Sequence, residues 1–234
     1  MKVLITGASK GIGRGIATVL AQEGFEVGLM ARSINLLQEL QKELTTQGCT
    51  CAVEEVDLRN VESTSNAVKV LIRKLGGVDA LINNAGVVIR KNIFDLSLEE
   101  WHTMMETNIN GVYYATRAVL PYLKEQRKGV IINISSISGK VPLAGGSAYA
   151  ASKYAVTGFS QSLFQEVRDS GIKVATIYPG SVDSESHRHD PNEDHSWKVR
   201  PEDVGYACRQ ILTTSDPTCI SELEIRPLAR PSKK

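Results

Sequence analysis

The chain has 234 residues, of which 42% are hydrophobic and 23% charged, a globular balance that excludes a disordered or collagen-like chain. Lysine and arginine number 27 against 26 acids, a formal charge of +1, so no global basic field argues for nucleic acid or an anionic membrane. Length alone allows one or two domains, at about 150 residues each.

Residues 2–6 are an apolar run that stops at Thr6 and Gly7. A signal peptide needs an apolar core of about 7–15 residues and a cleavage site, so this run reads as a strand. A helix follows over 12–23, with Ile12, Ile16, Val19 and Leu20 on one face, and Gly24 ends it. Further along, strands are expected at 26–30, 51–56, 79–83, 129–135, 173–179 and 222–226. Helices are expected at 35–47, 61–75, 98–123 and 148–169, the third interrupted near Gly111 and Pro121. No window approaches the roughly 20 apolar residues of a membrane span. Cys49, Cys51, Cys208 and Cys219 form no CxxC pair and read as reduced thiols of a cytoplasmic protein.

Strand–helix alternation at this spacing predicts an α/β chain: a doubly wound parallel sheet of about seven strands with helices on both faces. No linker interrupts it, so residues 1–234 read as one domain. The compositional exception is the polar stretch 184–200, with His187, His189 and His195 among Asp190, Glu193 and Asp194. It reads as a mobile loop rather than a metal site, because the histidine spacing is irregular.

The segment Thr6-Gly7-Ala8-Ser9-Lys10-Gly11-Ile12-Gly13 joins the first strand to the first helix. There Gly7 permits a tight turn, Gly11 lets backbone approach a pyrophosphate, and Gly13 lets helix and strand pack closely. Free N–H groups and the helix dipole then face the phosphates. At the end of the second strand an acid would bind a ribose 2′-hydroxyl. Ala31 stands there instead, followed by Arg32, with Lys10 in the glycine turn. Two cations and no anion suit a 2′-phosphate, so NADP(H) is expected over NAD(H).

The TGxxxGxG spacing of residues 6–13, the Asn83-Asn84-Ala85-Gly86 run and Tyr149-Ala150-Ala151-Ser152-Lys153 resemble the short-chain dehydrogenase/reductase family. The resemblance implies a single-domain Rossmann-type sheet. It implies cofactor contacts from Gly7, Ser9, Lys10, Gly11, Ile12, Gly13 and Arg32, and from Asp57 and Leu58 at the adenine. Asn84, Ala85 and Gly86 follow the fourth strand, where a purely structural role for the asparagines is an equal alternative. Pro179, Gly180 and Val182 match the family's PG motif, and Ser184 stands where a threonine is usual. The same resemblance implies that the polar stretch 184–200 lies over a substrate. Residues i and i+4 of a helix share a face, so Tyr149 and Lys153 point into one space. With Ser136, thirteen residues before the tyrosine, and Asn108, they complete the family's Asn–Ser–Tyr–Lys tetrad.

The chemistry implied is interconversion of a carbonyl and a secondary alcohol by hydride transfer. Tyr149 is the general acid/base, and both it and Lys153 touch the cofactor. Ser136 steadies the substrate oxygen, and Asn108 holds a water that links Lys153 to solvent. The partners expected are a small-molecule carbonyl or alcohol substrate and identical subunits in a dimer or tetramer, without nucleic acid or membrane. Two alternatives stay open. One is a 3-oxoacyl-carrier-protein reductase, although Ser170 stands where that branch has an arginine. The other is a non-catalytic NADP(H) sensor.

Overall fold

The computed structural model describes residues 1–184 and 194–229. Seven strands run parallel: Lys2–Thr6 (β1), Glu26–Ala31 (β2), Cys51–Glu55 (β3), Ala80–Asn83 (β4), Gly129–Ile134 (β5), Ile172–Pro179 (β6) and Glu222–Ile225 (β7). Their order is β3-β2-β1-β4-β5-β6-β7. β4 and β5 are buried along their whole length, as nearly continuous apolar runs covered on both faces must be.

The helices are Gly11–Gln22 (α1), Ile34–Thr46 (α2), Val61–Leu75 (α3), Leu98–Met105 (α4), Gly111–Glu125 (α5), Ser147–Val167 (α6) and Pro201–Leu212 (α7). Alternation along each strand sorts them into two layers. Val3 and Ile5 of β1 face α1, α2 and α7 through Ile16, Leu20, Leu40 and Val204. Leu4 faces α3, α5 and α6 through Leu71, Val119 and Leu163. Leu163 of α6 therefore packs inward against the sheet, with Phe159 and Val167 half-buried beside it.

Two sequence expectations change. The helical stretch 98–123 is interrupted by a π turn, Glu106–Asn110, immediately before Gly111 as expected, but it is not interrupted at Pro121. α5 continues through Pro121, which lies on the exposed face, where water meets the carbonyl that proline leaves without a partner. Helix α7 was not expected at all. It starts on Pro201, a residue suited to the first helical position, and buries Val204, Cys208, Ile211 and Leu212.

Because β1 lies between β2 and β4, the chain leaves β1 for one layer and β4 for the other. The two connections part at the carboxyl edge, and the crevice between them is where open α/β sheets bind ligands.

Candidate functional site

A cleft of about 320 Å³ opens at that edge. Of the sequence candidates, Gly7, Ser9, Lys10, Gly11, Ile12, Arg32, Asp57, Leu58, Asn84, Ala85, Gly86, Tyr149, Lys153 and Ser184 line it. Gly13, Asn108, Ser136, Pro179, Gly180 and Val182 do not. Sequence reasoning missed Ser33, Val56, Val87, Val88, Thr107 and Ile134, which also line the cleft. Most of these are immediate neighbours of motif residues, and that adjacency was the one available signal.

The glycine turn is shaped by contact with the β4 end. Gly7 has φ +66°, and a Cβ there would stand 2.7 Å from the Ala85 Cα, so only glycine fits. Gly13 faces inward: a Cβ would stand 2.2 Å from the Gly7 carbonyl oxygen. Its place is helix-to-turn packing. Asn84 Nδ2 donates to the carbonyls of Thr6 and Gly7 at 3.1 and 3.2 Å. In return the Asn84 and Ala85 N–H groups each donate to Thr6 Oγ1 at 3.0 Å. Asn84 thus lines the cleft and braces the turn at once. Asn83 is wholly structural, donating to Thr116 Oγ1 and Asn133 Oδ1.

At the rim, Arg59 grips Asp57 through Nε at 3.0 Å and Nη2 at 2.6 Å. Those hydrogen bonds, with added attraction from Arg32, hold the Asp57 carboxyl below its usual range.

On the other side of the cleft Lys153 is almost fully buried and donates to the Ile134 carbonyl at 2.9 Å. Burial pushes its ammonium down from 10.5 to about 8. A Cβ on Gly86 would lie 3.4 Å from Asn108 Oδ1 and 3.6 Å from Lys153 Nζ, ordinary contact distances, so the Gly86 backbone borders both groups. Asn108 Oδ1 accepts from the Val87 N–H at 2.7 Å. Its Nδ2 donates to the Val87 carbonyl and to Ser152 Oγ, both at 2.9 Å. Both amide hydrogens are committed to protein, so a water held by this side chain would donate to it rather than accept from it. Ser136 caps a short 3₁₀ turn, Ile137–Gly139, and its Oγ accepts from the Ser138 N–H at 3.1 Å. Its own proton remains for donation.

The first 195 residues match the family model described as short chain dehydrogenase. The chain belongs to the short-chain dehydrogenase family. An uncharacterized oxidoreductase of Staphylococcus aureus is 34% identical over 226 residues, which cover 96% of each chain. The alcohol dehydrogenase of the archaeon Thermococcus sibiricus, solved with 5-hydroxy-NADP, superposes with a TM-score of 0.91 at 29% identity, covering 99% of both chains. The closed form of serine dehydrogenase with NADP+ gives 0.89 at 33% identity, covering 100% of this chain and 98% of the other. As a member of this family the chain is an oxidoreductase.

The family's PG segment lies beside the cleft rather than in its wall. The Gly180 N–H donates to the Ile225 carbonyl. Val182 forms an isolated parallel bridge with Val199, in which the Ser181 carbonyl and the Asp183 N–H are used. In a parallel bridge the central residue's own N–H and C=O point the opposite way, so those of Val182 are left for another partner. Ser184 arches over the turn, and a Cβ on Gly11 would lie 3.2 Å from its Cβ. His195 Nδ1 meets Asp183 Oδ1 at 3.0 Å. His187, His189, Asp190 and Glu193 lie outside the described residues, as does most of the expected substrate loop. Among the described residues no three or more His, Cys, Asp or Glu side chains group to hold a metal, and no helix is long and apolar enough to cross a membrane.

Next to Tyr149 the surroundings turn apolar. Val87, Val88, Ile89, Leu96 and Leu143 pack around Met104, Ala148 and the tyrosine.

Proposed function

We propose that the chain is an NADP(H)-dependent oxidoreductase that interconverts a carbonyl and a secondary alcohol. The observation carrying this reading is that Tyr149 and Lys153 line one cleft with the glycine turn, Lys10 and Arg32. The residues present fit the dinucleotide. Gly7 and Gly13 hold the turn where side chains would collide with backbone, and no carboxylate replaces Ala31 to repel a 2′-phosphate. The NADP complexes of the T. sibiricus and serine dehydrogenase structures support the same choice.

Arg32 and Lys10 would hold the 2′-phosphate, and Ser184 with the Val182 backbone would meet the carboxamide end. Bound there, NADPH supplies the hydride. The rest falls to the chain's own residues. Tyr149 gives its hydroxyl proton to the substrate oxygen in reduction and takes it back in oxidation. An ordinary tyrosine, with a pKa of about 10, exchanges protons poorly near neutrality. The Lys153 ammonium favours the tyrosinate and makes that exchange easier. Ser136 donates to the same substrate oxygen and stabilises charge that develops on it. Asn108 fixes Val87 and Ser152, the neighbours of the cleft wall and of Lys153. The apolar packing beside Tyr149 supports a substrate with an apolar substituent.

The test follows NADPH consumption over a panel of aldehydes, ketones and diketones, with a carrier-protein thioester as a separate arm. Turnover of free carbonyls is expected. Preference for the thioester makes the chain an acyl reductase, and tight NADPH binding without turnover makes it a sensor. Tyr113 of α5 and Tyr154 of α6 are 46% and 43% exposed. They support assembly of identical subunits across these helices, which light scattering measures.

A further inference from the structure

Ser136 stands on a turn beyond the end of β5, so the aim of its hydroxyl depends on what holds that turn. The inner side is set by backbone. A Cβ on Gly139 would stand 2.5 Å from Ser135 Oγ and 2.8 Å from the Lys153 carbonyl oxygen. Thr157 Oγ1 donates to that same carbonyl at 3.1 Å. The turn therefore sits directly on the helix segment that carries Lys153.

The outer side is held by a residue that no motif accounts for. Lys140 follows the turn, and its N–H donates to the Ile137 carbonyl at 2.9 Å. Its Nζ lies 2.6 Å from Glu222 Oε2 and 3.2 Å from Glu224 Oε1. It also stands 4.1 Å from the ring centroid of Tyr178, a fully buried side chain of β6. Glu222 and Glu224 are two apart on β7 and so share one face of the sheet. Glu222 also accepts from Gln161 Nε2 of α6 at 2.9 Å. One ammonium thus joins the Ser136 turn to β6 and β7, with Gln161 extending the network to α6. A single exposed ion pair contributes little. Here two carboxylates and an aromatic face converge on one cation, whose position they fix jointly. The hydrogen bond from Lys140 holds Glu222 below the usual carboxylate range, and the same bond raises Lys140.

We propose that Lys140 is a positioning residue that clamps the Ser136 turn onto β6 and β7, keeping the serine hydroxyl aimed at the substrate oxygen. The catalytic half of this inference rests on the carbonyl reading above. Displacing a donor by about an ångström costs up to roughly 100-fold in rate, so K140M should lower kcat about tenfold. The KM for NADPH should stay within about twofold, because the 2′-phosphate end is untouched. K140R, which keeps the charge, should restore most of the rate.

A double-mutant comparison shows whether the effect passes through Ser136. In an S136A background, K140M should change kcat by less than about twofold. Wild-type turnover in K140M, or an undiminished tenfold loss in S136A, overturns the proposal. A second readout needs no substrate. The amides of Ser138, Gly139, Lys140 and Val141 bond to Ser136 Oγ, Ser136 O and Ile137 O. Their hydrogen exchange should rise roughly tenfold in K140M, and in E222Q, which keeps the lysine. Unchanged exchange in both variants also overturns the clamp. If the wild type reduces no carbonyl, the functional reading has failed, and the exchange measurement alone decides the clamp.

Discussion

The two ends of the cleft are built on opposite plans. At the glycine-turn end two exposed cations, Lys10 and Arg32, reach the cleft above a backbone cradle. At the tyrosine end the groups are buried and tied down: Lys153 in the cleft to Ile134, and Asn108 behind the cleft wall to Val87 and Ser152. A ligand can be chosen by one or two charges at a wet rim. A proton has to be moved by groups whose positions are over-determined. Substitutions at the two ends should therefore fail differently, in rate at one and in affinity at the other.

The sharpest contrast comes from Y149F. It should lower kcat by about 10³-fold while NADPH binding, followed by fluorescence titration, persists. Near-full turnover would remove the tyrosine from the chemistry and erase the distinction between the ends. K153M should also abolish turnover, yet stabilise the cofactor-free protein at pH 7 by about 1–3 kcal/mol, because it removes a buried charge. The sign can be checked separately. The folded lysine titrates near 8 and the unfolded one near 10.5. Between those values the unfolded chain binds more protons, so the wild type gains stability as pH rises. Urea unfolding should show that slope in the wild type and not in K153M.

At the other end, A31D should shift the NADPH-to-NADH preference in kcat/KM by roughly 10–100-fold, with little change in the better kcat. An unchanged preference would mean that Lys10 and Arg32 are ordinary surface cations. The smallest effect belongs to R59A. It frees the Asp57 carboxylate and should raise the NADPH KM about two- to threefold without moving the melting temperature, since exposed pairs add little stability.

The sheet, six of the seven long helices and the cleft's main residues were legible because apolar runs, helical spacing and glycine punctuation are local. α7 was missed although it carries a start signal in Pro201, Glu202 and Asp203, with Val204, Cys208 and Ile211 on one face. The polar stretch before it masked the change of period. The π turn has no comparable signature, because its hydrogen-bond register is set by packing around Asn108. The bracing by Asn84 was equally hidden, since it links residues 78 apart in sequence. Lys140 resembles any surface lysine until β7 places two glutamates beside it.

The crossing of α7 over α1 has an evolutionary consequence. A Cβ on Gly15 would meet Pro201 at 2.5 Å, and one on Gly205 would meet Val19 at 2.9 Å. With the Val182–Val199 bridge, this fastens both ends of the connection between β6 and α7 to the framework that shapes the glycine turn. Doubling the length of the connection costs only about 0.6 kcal/mol of closure entropy. New sequences can therefore be spliced between the fastenings while the glycine turn stays as it is.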